Sequence, residues 1–542
     1  MLKRGLLTRQ ALREFFMPDT DKLHNPFLMK DMDEACARLM RAINNNERII
    51  FFGDYDVDGT TSVALMASFF TQHYPNFLTY IPDRYKEGYG LSKEGIDFAV
   101  SESCSLMITL DCGIKSVALV KYAAEKNLDV IICDHHTPAN ELPPATAVLD
   151  PKRNDCNYPY KDLSGCGVGF KLLCAYASKN NISLDEVLQH SDLLTLSIGA
   201  DIVPITGENR VLATYGMARI KRHPCAGIAS LIRVAKRNIH TIDDVVFTIA
   251  PRINAAGRME HGNLAVELLS TTNQERANHL AERLDALNNQ RRHTDVSITD
   301  QAVEQIASEL QPDAAATVVY KDDWHKGVIG IVASRLIEKH YRPTIVLTKN
   351  NGVYAGSARS VIGFDLYAAL EECSEEMIQF GGHMYAAGMT VEASKIKAFA
   401  QRFEDVVRRR ILPEQTIPRL DIDAVLPFAD ISETLTNTLR RMEPFGPENM
   451  KPIFVTRNLI LGENSRVVGN DESHLKLEVI DPNTGETRNG IAFKKAHLLP
   501  QLKEASHVHL AYHLNENKWN GKSSWQLHVL DIDFTINQTA SQ

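Results

Sequence analysis

Four short apolar runs near the start of the chain constrain its fold more than any other feature. They span residues 49–52, 106–110, 129–133 and 147–149. Segments with helical character follow the first two runs, at residues 60–70 and up to Lys126. Strands that alternate with helices pair in parallel and carry helices on both faces. The sequence therefore predicts an α/β domain built on a parallel sheet.

The rest of the chain divides into three further patterns. A charged stretch at 273–310 has neither Gly nor Pro, which predicts an extended helix that links two domains. A second α/β unit follows, with strands at 316–320 and 344–348 and a helix at 328–339. After a linker at 412–418, apolar residues alternate at 508–514 and 525–529, which predicts a β-hairpin with one buried face.

Composition limits where the protein works. No apolar run is long enough to cross a bilayer, and the N-terminus lacks an apolar signal core, so we expect a cytoplasmic protein. None of the nine cysteines forms a Cys-x-x-Cys pair, which is typical of reduced core residues. The net charge of -9 disfavours general nucleic-acid binding, although a global sum can hide a local groove. For the basic cluster at 219–237, a solvated helix face is the stronger expectation and a local groove the alternative.

Acidic residues and histidines follow the first three runs. They are Asp54, Asp56, Asp58, Asp111, Asp134, His135 and His136. The carboxyl ends of parallel strands meet at one crevice, where these carboxylates would repel one another without a cation. Carboxylates with imidazole suit Mn²⁺ or Mg²⁺, and so many ligands suggest two ions about 3.5–4 Å apart.

Other interpretations of single motifs are weaker than the combination. Asp54 to Gly59 resembles a calcium loop, but Leu65 stands where that loop needs Glu. A lone Asp after a strand more often caps a helix, and one His-His pair is more often structural. Several strand ends that each deliver Asp or His to one edge favour a metal site.

Four motifs resemble those of the DHH phosphoesterases. They are Asp-Tyr-Asp-Val-Asp-Gly at 54–59, Asp-Cys-Gly at 111–113, Asp-His-His at 134–136 and Gly-Ala-Asp-Ile-Val-Pro at 199–204. Further segments resemble the RecJ-type exonucleases of that superfamily. These lie at 82–90, 251–259, 324–335, 356–360, 381–388, 445–449 and 474–477.

The resemblance implies a role for each residue of the first domain. The metal ligands would be Asp56, Asp58, Asp111, His135 and Asp201, with Asp111 as the bridge between two ions. Asp54 and Asp134 would orient ligands, and His136 would hold the scissile phosphate. Asp150 also ends a strand but stands where the pattern usually has Asn, so it is not assigned as a ligand. Phe52 stands where some members have a sixth ligand, His.

The resemblance also implies how substrate is held. A terminal phosphate would bind Ser357, Arg359 and His383, with Gly381 and Gly382 admitting backbone amides and with Arg84 and Arg258 completing the pocket. A salt bridge between domains is the alternative for Arg258. In the last domain, Trp519 and Trp525 are candidates for base stacking, although core packing is the stronger expectation for Trp525.

Together these inferences predict an α/β protein with four parts after a lead segment. The expected parts are the lead segment at 1–45, a DHH catalytic domain at 46–270, a connecting helix at 271–310, a DHHA1 domain at 311–412 and a β-rich OB-type nucleic-acid-binding domain at 419–542. The function implied by resemblance is 5′-to-3′ digestion of single-stranded DNA to mononucleotides in DNA repair and recombination. Partners by resemblance are single-stranded DNA, a single-strand-binding protein and a helicase, and we expect a monomer that does not bind membranes.

Three other functions remain to be compared. Smaller DHH–DHHA1 enzymes cleave short oligoribonucleotides or cyclic dinucleotides, but the residues after Pro418 disfavour them. A manganese pyrophosphatase shares the metal motifs and lacks the Gly-Gly-His domain. A non-catalytic protein with this fold would not need the intact set of five ligands.

Overall fold

The computed structural model describes residues 1–350, 352–519 and 522–536, without the side chains at 518, 519, 522, 523, 535 and 536. The chain forms two compact units. One contains Met1–Asp19, Pro204–Thr206 and the chain from Leu420 onward, and the other contains Thr20–Val203 and Gly207–Arg419. The expected lead segment is therefore divided between the two units.

The helices and strands are numbered in chain order. The helices are α1 (Arg9–Phe16), α2 (Met32–Asn44), α3 (Val57–His73), α4 (Lys93–Ser101), α5 (Val117–Glu125), α6 (Gly165–Lys179), α7 (Leu184–Leu188), α8 (Ser191–Ala200), α9 (Gly207–Arg222), α10 (Ala226–Ala235), α11 (Ile242–Asp244), α12 (Ala250–Met259), α13 (Asn263–Ser270), α14 (Gln274–Glu309), α15 (Ile329–Lys339), α16 (Leu366–Glu371), α17 (Ile396–Arg410), α18 (Glu433–Met442) and α19 (Leu499–Glu504). The strands are β1 (Arg48–Gly53), β2 (Phe77–Tyr80), β3 (Cys104–Leu110), β4 (Asp129–Cys133), β5 (Ala147–Leu149), β6 (Thr317–Lys321), β7 (Thr344–Asn350), β8 (Val353–Arg359), β9 (Met377–His383), β10 (Ala386–Glu392), β11 (Ala424–Val425), β12 (Phe454–Leu461), β13 (Arg466–Val468), β14 (His474–Ile480), β15 (Thr487–Ala492), β16 (Ala505–Trp519) and β17 (Lys522–Ile536).

The first sheet is parallel and has the strand order β2-β1-β3-β4-β5. The four predicted strands are present, and the structure adds β2, a half-buried edge strand of four residues that was not predicted. Helix α3 leaves the end of β1 and packs against α6 and α8. The carboxyl ends of β1, β3, β4 and β5 therefore face the starts or ends of these helices.

A buried ion pair stabilises the helical layer next to this sheet. Lys171 on α6 lies 2.5 Å from Glu208 on α9, and each side chain is only 1% exposed. Glu208 also accepts hydrogen bonds from the Tyr158 hydroxyl and from the backbone N–H of His24. The pair is thus fully enclosed, which makes each partner costly to lose.

Helix α14 is the predicted connecting helix and extends for 36 residues. It leads into a second sheet with the order β6-β7-β8-β10-β9, in which only β6 and β7 pair in parallel. Helix α15 and part of α14 pack on one face of this sheet around Trp324 and Val346. Helices α16 and α17 cover the other face.

The other unit is a closed barrel. Strand β12 pairs with both β14 and β16, and the ring closes through β15 and β17. The parallel contact between β15 and β17 and the position of α19 between β15 and β16 give the strand order of an OB-fold. The predicted hairpin is β16 and β17, both longer than their alternating segments.

The predicted basic cluster lies at the C-terminal ends of α9 and α10. Arg219 pairs with Asp192 at 3.7 Å, and Arg233 pairs with Glu282 at 3.2 Å. Cations at helix C-termini are stabilised by the helix dipole, which agrees with a solvated structural role. Among the described residues, no helix combines the length and hydropathy needed to span a membrane.

Substituting Lys171 should reveal how strongly the buried ion pair with Glu208 contributes to the free energy of unfolding. Lys171→Met should lower the free energy of unfolding by about 3–5 kcal/mol, because Glu208 would stay buried without its cation. The measurement is urea unfolding followed by circular dichroism. The control is Lys179→Met on the same helix, since Lys179 is 48% exposed and its pair with Asp33 should contribute about 1 kcal/mol or less. Equal losses in the two variants would contradict this role.

Candidate metal centre

Four separate elements converge on the His135 side chain. Its Nε2 atom lies 3.2 Å from Oδ1 of Asp111, 3.5 Å from Oδ2 of Asp201 and 3.8 Å from Oδ2 of Asp58. His135 follows β4, Asp111 follows β3, Asp58 lies in the first turn of α3 and Asp201 caps α8. The ligand atoms form two groups close enough for a metal ion, Asp111 with His135 and His136, and Asp58 with His135 and Asp201.

The start of α6 holds the Asp58 carboxylate in place. Its oxygens accept hydrogen bonds from the backbone N–H groups of Gly165, at 2.7 Å, and Cys166, at 2.9 Å, and from the Ser197 hydroxyl, at 2.7 Å. A Cβ at Gly165 would lie 2.5 Å from Cβ of Asp111, so only glycine lets this helix approach. These supporting groups were not predicted, although the glycine-rich start of α6 marks them in the sequence.

Asp54 and Asp56 lie at the edge of the same cluster. Oδ1 of Asp56 accepts the Gly59 N–H at 3.0 Å and caps α3, so helix capping accounts for one of its oxygens. Oδ1 of Asp54 accepts the Gly90 N–H at 3.3 Å. Neither residue belongs to the two groups around His135. The structure therefore brings together four of the five predicted ligands and places Asp56 beside them.

Burial and mutual repulsion act on these carboxylates. Burial, followed by the charge of nearby carboxylates, raises the pKa values of Asp54, Asp56 and Asp111. The same causes raise the pKa of Asp201 to about 8. Oδ1 of Asp111 and both ring nitrogens of His135 are buried with no hydrogen-bond partner in the described part of the chain. Such acceptors fit a divalent cation, which would satisfy them and offset the repulsion.

Asp134 orients His136 at the rim of the cluster. Oδ1 of Asp134 lies 2.7 Å from Nδ1 of His136, and Oδ2 accepts the Ile114 N–H at 2.9 Å. Burial alone would raise the pKa of Asp134, but these contacts lower it to about 2. Burial would lower the pKa of His136, but Asp134 raises it to about 9. Nε2 of His136 lies 3.1 Å from the Tyr89 hydroxyl, a contact that was not predicted.

Phe52 and Asp150 occupy two further positions singled out in the sequence. The Phe52 ring is buried and stacks on Tyr80 with 5.4 Å between centroids, so it contributes core packing. Asp150 is buried at the end of β5, where Oδ1 accepts the Lys152 N–H at 2.7 Å. Burial raises the pKa of Asp150 to about 7.

Three arginines gather where α12 meets the second sheet. Arg84 lies 4.6 Å above the Tyr55 ring, and Nη1 of Arg258 donates to the Gly327 carbonyl at 2.9 Å. Burial, and then the positive charges of Arg84, Arg291 and Arg359, lower the pKa of Arg258 to about 10. In the part of the chain described here, Arg84, Arg258 and Arg359 form no ion pair with a carboxylate. The expected alternative for Arg258, a salt bridge, is replaced by a hydrogen bond to a backbone carbonyl.

The register of β8, β10 and β9 aligns the remaining predicted substrate-binding residues. Ala386 pairs with both Arg359 and His383, and Gly388 pairs with both Ser357 and Gly381. Residues that pair directly, and residues two apart along a strand, point to the same face of a sheet. Ser357, Arg359, Gly381 and His383 therefore share one face.

On this face of the sheet, His383 lies at a distance from Arg359, and close packing determines which residue can stand at position 382. His383 is exposed and lies two strands from Arg359, a backbone separation of about 10 Å. Nη1 of Arg359 donates to the Ser357 hydroxyl at 3.2 Å. A Cβ at Gly382 would lie 2.3 Å from the Ala386 carbonyl oxygen, so this position requires glycine.

Comparisons with known proteins agree with three domains. Family models match the DHH family, N-terminal domain, at residues 48–198, the DHHA1 domain at 312–409 and the RecJ OB domain at 422–531. The chain is 37% identical to the single-stranded-DNA-specific exonuclease RecJ of Bacillus subtilis, over 98% of this chain and 67% of that protein. It is 34% identical to the Escherichia coli protein of the same name, over 93% of this chain and 90% of that protein.

Solved structures of similar proteins contain metal ions. The crystal structure of RecJ from Thermus thermophilus in complex with Mn²⁺ matches with a TM-score of 0.83 and 28% identity, over 98% of this chain and 74% of that chain. A crystal structure of exonuclease RecJ bound to manganese matches with a TM-score of 0.63 and 32% identity, over 72% of this chain and 97% of that chain.

Replacing Asp111 should test the metal centre directly. Asp111 has a left-handed backbone, with φ of 60°, which Asn tolerates better than Ala. Asp111→Asn should reduce Mn²⁺ affinity by more than the roughly 10–100-fold typical of outer-shell substitutions, and should not destabilise the metal-free fold, because a buried charge is removed. Titration calorimetry measures the affinity. Asp150→Asn is the matched control, because Asp150 is a buried carboxyl at the end of β5 in the same sheet. This variant should bind Mn²⁺ like the parent. Similar affinities in all three proteins would contradict the assignment.

Proposed function

Because this chain belongs to the RecJ family of DHH phosphoesterases, we propose that it digests single-stranded DNA from the 5′ end to mononucleotides. The observation that carries this proposal is the presence of two complementary clusters of charged residues within the same compact unit. A buried cluster of Asp58, Asp111, His135 and Asp201 suits divalent cations, and a group of arginines without carboxylate partners suits phosphate. A single strand with a terminal phosphate requires both.

The metal ligands are assigned as Asp56, Asp58, Asp111, His135 and Asp201, with two Mn²⁺ or Mg²⁺ ions as the cofactors. Two such ions, when bound, stabilise the attacking and leaving oxygens of the phosphodiester. Asp111 is the bridging ligand in this proposal. Its unpartnered Oδ1 and its position beside His135 support that role.

Protein side chains around the ions position the phosphodiester. His136 holds a non-bridging oxygen of the scissile phosphate, and Asp134 fixes the ring through its contact with Nδ1. The Tyr89 hydroxyl at Nε2 of His136 marks where that phosphate oxygen would bind. Asp54 remains an orienting residue next to the ligands.

The terminal 5′ phosphate is assigned to the arginine group and to the row on β8 and β9. Arg84, Arg258 and Arg359 supply charge, Ser357 supplies a hydroxyl, and His383 closes the exposed side. Gly381 and Gly382 leave their backbone accessible. A pocket that holds a 5′ phosphate beside the metal centre sets the direction of digestion.

The C-terminal barrel separates this proposal from the smaller DHH–DHHA1 phosphodiesterases. The match to the RecJ OB domain at 422–531 supports a role in holding a long strand. Trp519 was a predicted stacking residue, but its side chain lies outside the described residues. Trp525 packs against the barrel core and has the Arg440 guanidinium 5.2 Å from its ring, which supports the packing role expected for it.

Phe493 is a better candidate for stacking a base. The residue is 48% exposed, and its ring centroid lies 5.0 Å from that of His474 and 5.3 Å from that of His528. Lys494 and Lys495 follow it in the sequence. Aromatic rings beside lysines form the sequence-tolerant surface that single strands bind. By family resemblance, the proposed setting is the cytoplasm, in repair and recombination beside a single-strand-binding protein and a helicase.

The direction of digestion can be tested at Arg359. Arg359→Ala should weaken the preference for 5′-phosphorylated over 5′-hydroxyl strands, by a charge-assisted contact of roughly 1.5–3 kcal/mol. Rates on both substrates, with Mn²⁺ present, give the preference. Arg402→Ala, on the other side of the same sheet, is the control. An unchanged ratio in Arg359→Ala would refute the pocket.

The barrel surface can be tested at Phe493. Phe493→Ala should weaken binding of a long single strand by about 1–3 kcal/mol for each base that stacks there, while hydrolysis of a dinucleotide stays unchanged. Val425→Ala, at an exposed site on β11, is the control. Fluorescence anisotropy measures affinity. If both variants bind the long strand like the parent, Phe493 does not stack bases.

A further inference from the structure

Helix α14 contacts α12, which carries Arg258 of the proposed phosphate pocket, and α15, which packs against Ser357 and Arg359 of that pocket. Arg252 on α12 forms an ion pair with Asp285 at 2.7 Å, and Arg335 on α15 forms one with Asp295 at 2.8 Å. Asp285 and Asp295 are ten residues apart, a distance of about 15 Å along a helix. A single rigid helix thus sets the spacing between α12 and α15.

Asp295 is the more deeply buried of the two anchors. Its side chain is 0% exposed and lies 3.1 Å from Nη1 of Arg291 and 2.8 Å from Nη2 of Arg335. Nη2 of Arg291 also donates to Oδ1 of Asn288 at 2.7 Å, and Asn288 is itself buried. One carboxylate therefore holds two arginines from different helices in fixed positions.

The two anchored helices meet at the pocket itself. Arg258, on α12, donates to the carbonyl of Gly327, just before α15, and its own carbonyl accepts from the Tyr85 hydroxyl. A Cβ at Gly330 would lie 2.9 Å from the Ser357 hydroxyl and 3.2 Å from Nη2 of Arg359. Because Gly330 on α15 packs closely against the Ser357 and Arg359 side chains on β8, a small shift of α15 toward β8 would displace these two side chains relative to Arg258.

Arg291 also contributes charge to this region. Its positive charge is among the causes that lower the pKa of Arg258, after burial and the charge of Arg84. Arg291 is only 13% exposed and is bound on two sides by Asn288 and Asp295. It therefore adds positive potential to the pocket without being free to leave it.

We propose that Asp295 is a positioning residue for recognition of the terminal phosphate, an inference that rests on the proposed function. A buried ion pair is weak evidence for stability, because well-packed apolar residues often stabilise a fold equally well. The contribution of Asp295 is instead to fix the positions of its neighbours. It holds Arg291 beside Arg258, and it holds α15 at a fixed distance from α12.

The test measures phosphate recognition separately from hydrolysis. D295N and R335Q are compared with D300N, an exposed carboxylate on the same helix. For each full-length protein with Mn²⁺, kcat/KM is measured on 5′-phosphorylated and 5′-hydroxyl strands and on bis(4-nitrophenyl) phosphate, a small ester with no terminal phosphate group. Urea unfolding of each variant measures stability.

The expected result is a selective loss. D295N and R335Q should lower the ratio of kcat/KM between phosphorylated and hydroxyl strands by up to about a hundredfold, mainly through KM, and should still hydrolyse the small ester. D300N should keep the parent ratio. Asn is close in size to Asp and can occupy the site of Asp295 in D295N. R335Q removes the same ion pair by changing the exposed partner. If only one of the two variants folds, that variant is sufficient for the test.

Three other results have distinct meanings. If the variants lose stability and keep the parent ratio, Asp295 has only a structural role and the inference is overturned. If the parent protein itself shows no preference for 5′-phosphorylated strands, the proposed pocket fails, and the inference fails with it. Loss of the ratio in D300N as well would also overturn it, because the effect would not depend on the buried carboxylate.

Discussion

Repulsion among buried carboxylates at one edge of the parallel sheet is the constraint on which the rest of this structure depends. Asp54, Asp58 and Asp111 are almost inaccessible to solvent, and Asp201 is only partly accessible. Unpaired charges in such surroundings are unfavourable, so neighbouring groups must stabilise them. The start of α6 supplies two backbone N–H groups to Asp58, and a glycine at 165 makes that approach possible. The remaining acceptors are those that a divalent cation would satisfy.

The arginine group in the same compact unit is the positively charged counterpart of the carboxylate cluster. Arg258 and Arg359 are partly buried near like charges, and both lie where an anion would stabilise them. Among the described residues, no lysine or arginine forms an ion pair with the carboxylate cluster, and no carboxylate forms an ion pair with the arginine group. A nucleic-acid terminus with bound metal ions would supply a charge partner to each. Helix α14 matters because it holds α12 and α15, which pack around the arginine group.

Sequence reasoning succeeded where residue type and local pattern carry the information. The ends of β1, β3 and β4 were predicted from apolar runs that stop at Asp, and parallel pairing brings such ends together. It missed β2, an edge strand whose apolar and aromatic run is only four residues long. Tyr89 and Ser197 were missed because their contacts cross more than 40 residues of sequence and depend on tertiary packing. The residue pattern predicted only one hairpin of the barrel, and the OB-type domain was expected by family resemblance, because the ring closes through long-range pairing of β12 with β14 and β16.

Burial of charge alone does not separate functional from structural residues in this protein. Glu208 is as buried as Asp58, yet Lys171, Tyr158 and a backbone N–H surround it, so it needs no ligand. Asp111 has an oxygen without any hydrogen-bond partner in the described structure, and the same holds for both nitrogens of the neighbouring His135. Buried polar groups are normally satisfied, so unsatisfied atoms from Asp111 and His135 that lie 3.2 Å apart indicate a place where a ligand fits. Asp150 is an intermediate case, with one oxygen satisfied and one not. Its position at the next strand end, outside both ligand groups, makes it the informative comparison for how far the metal centre extends.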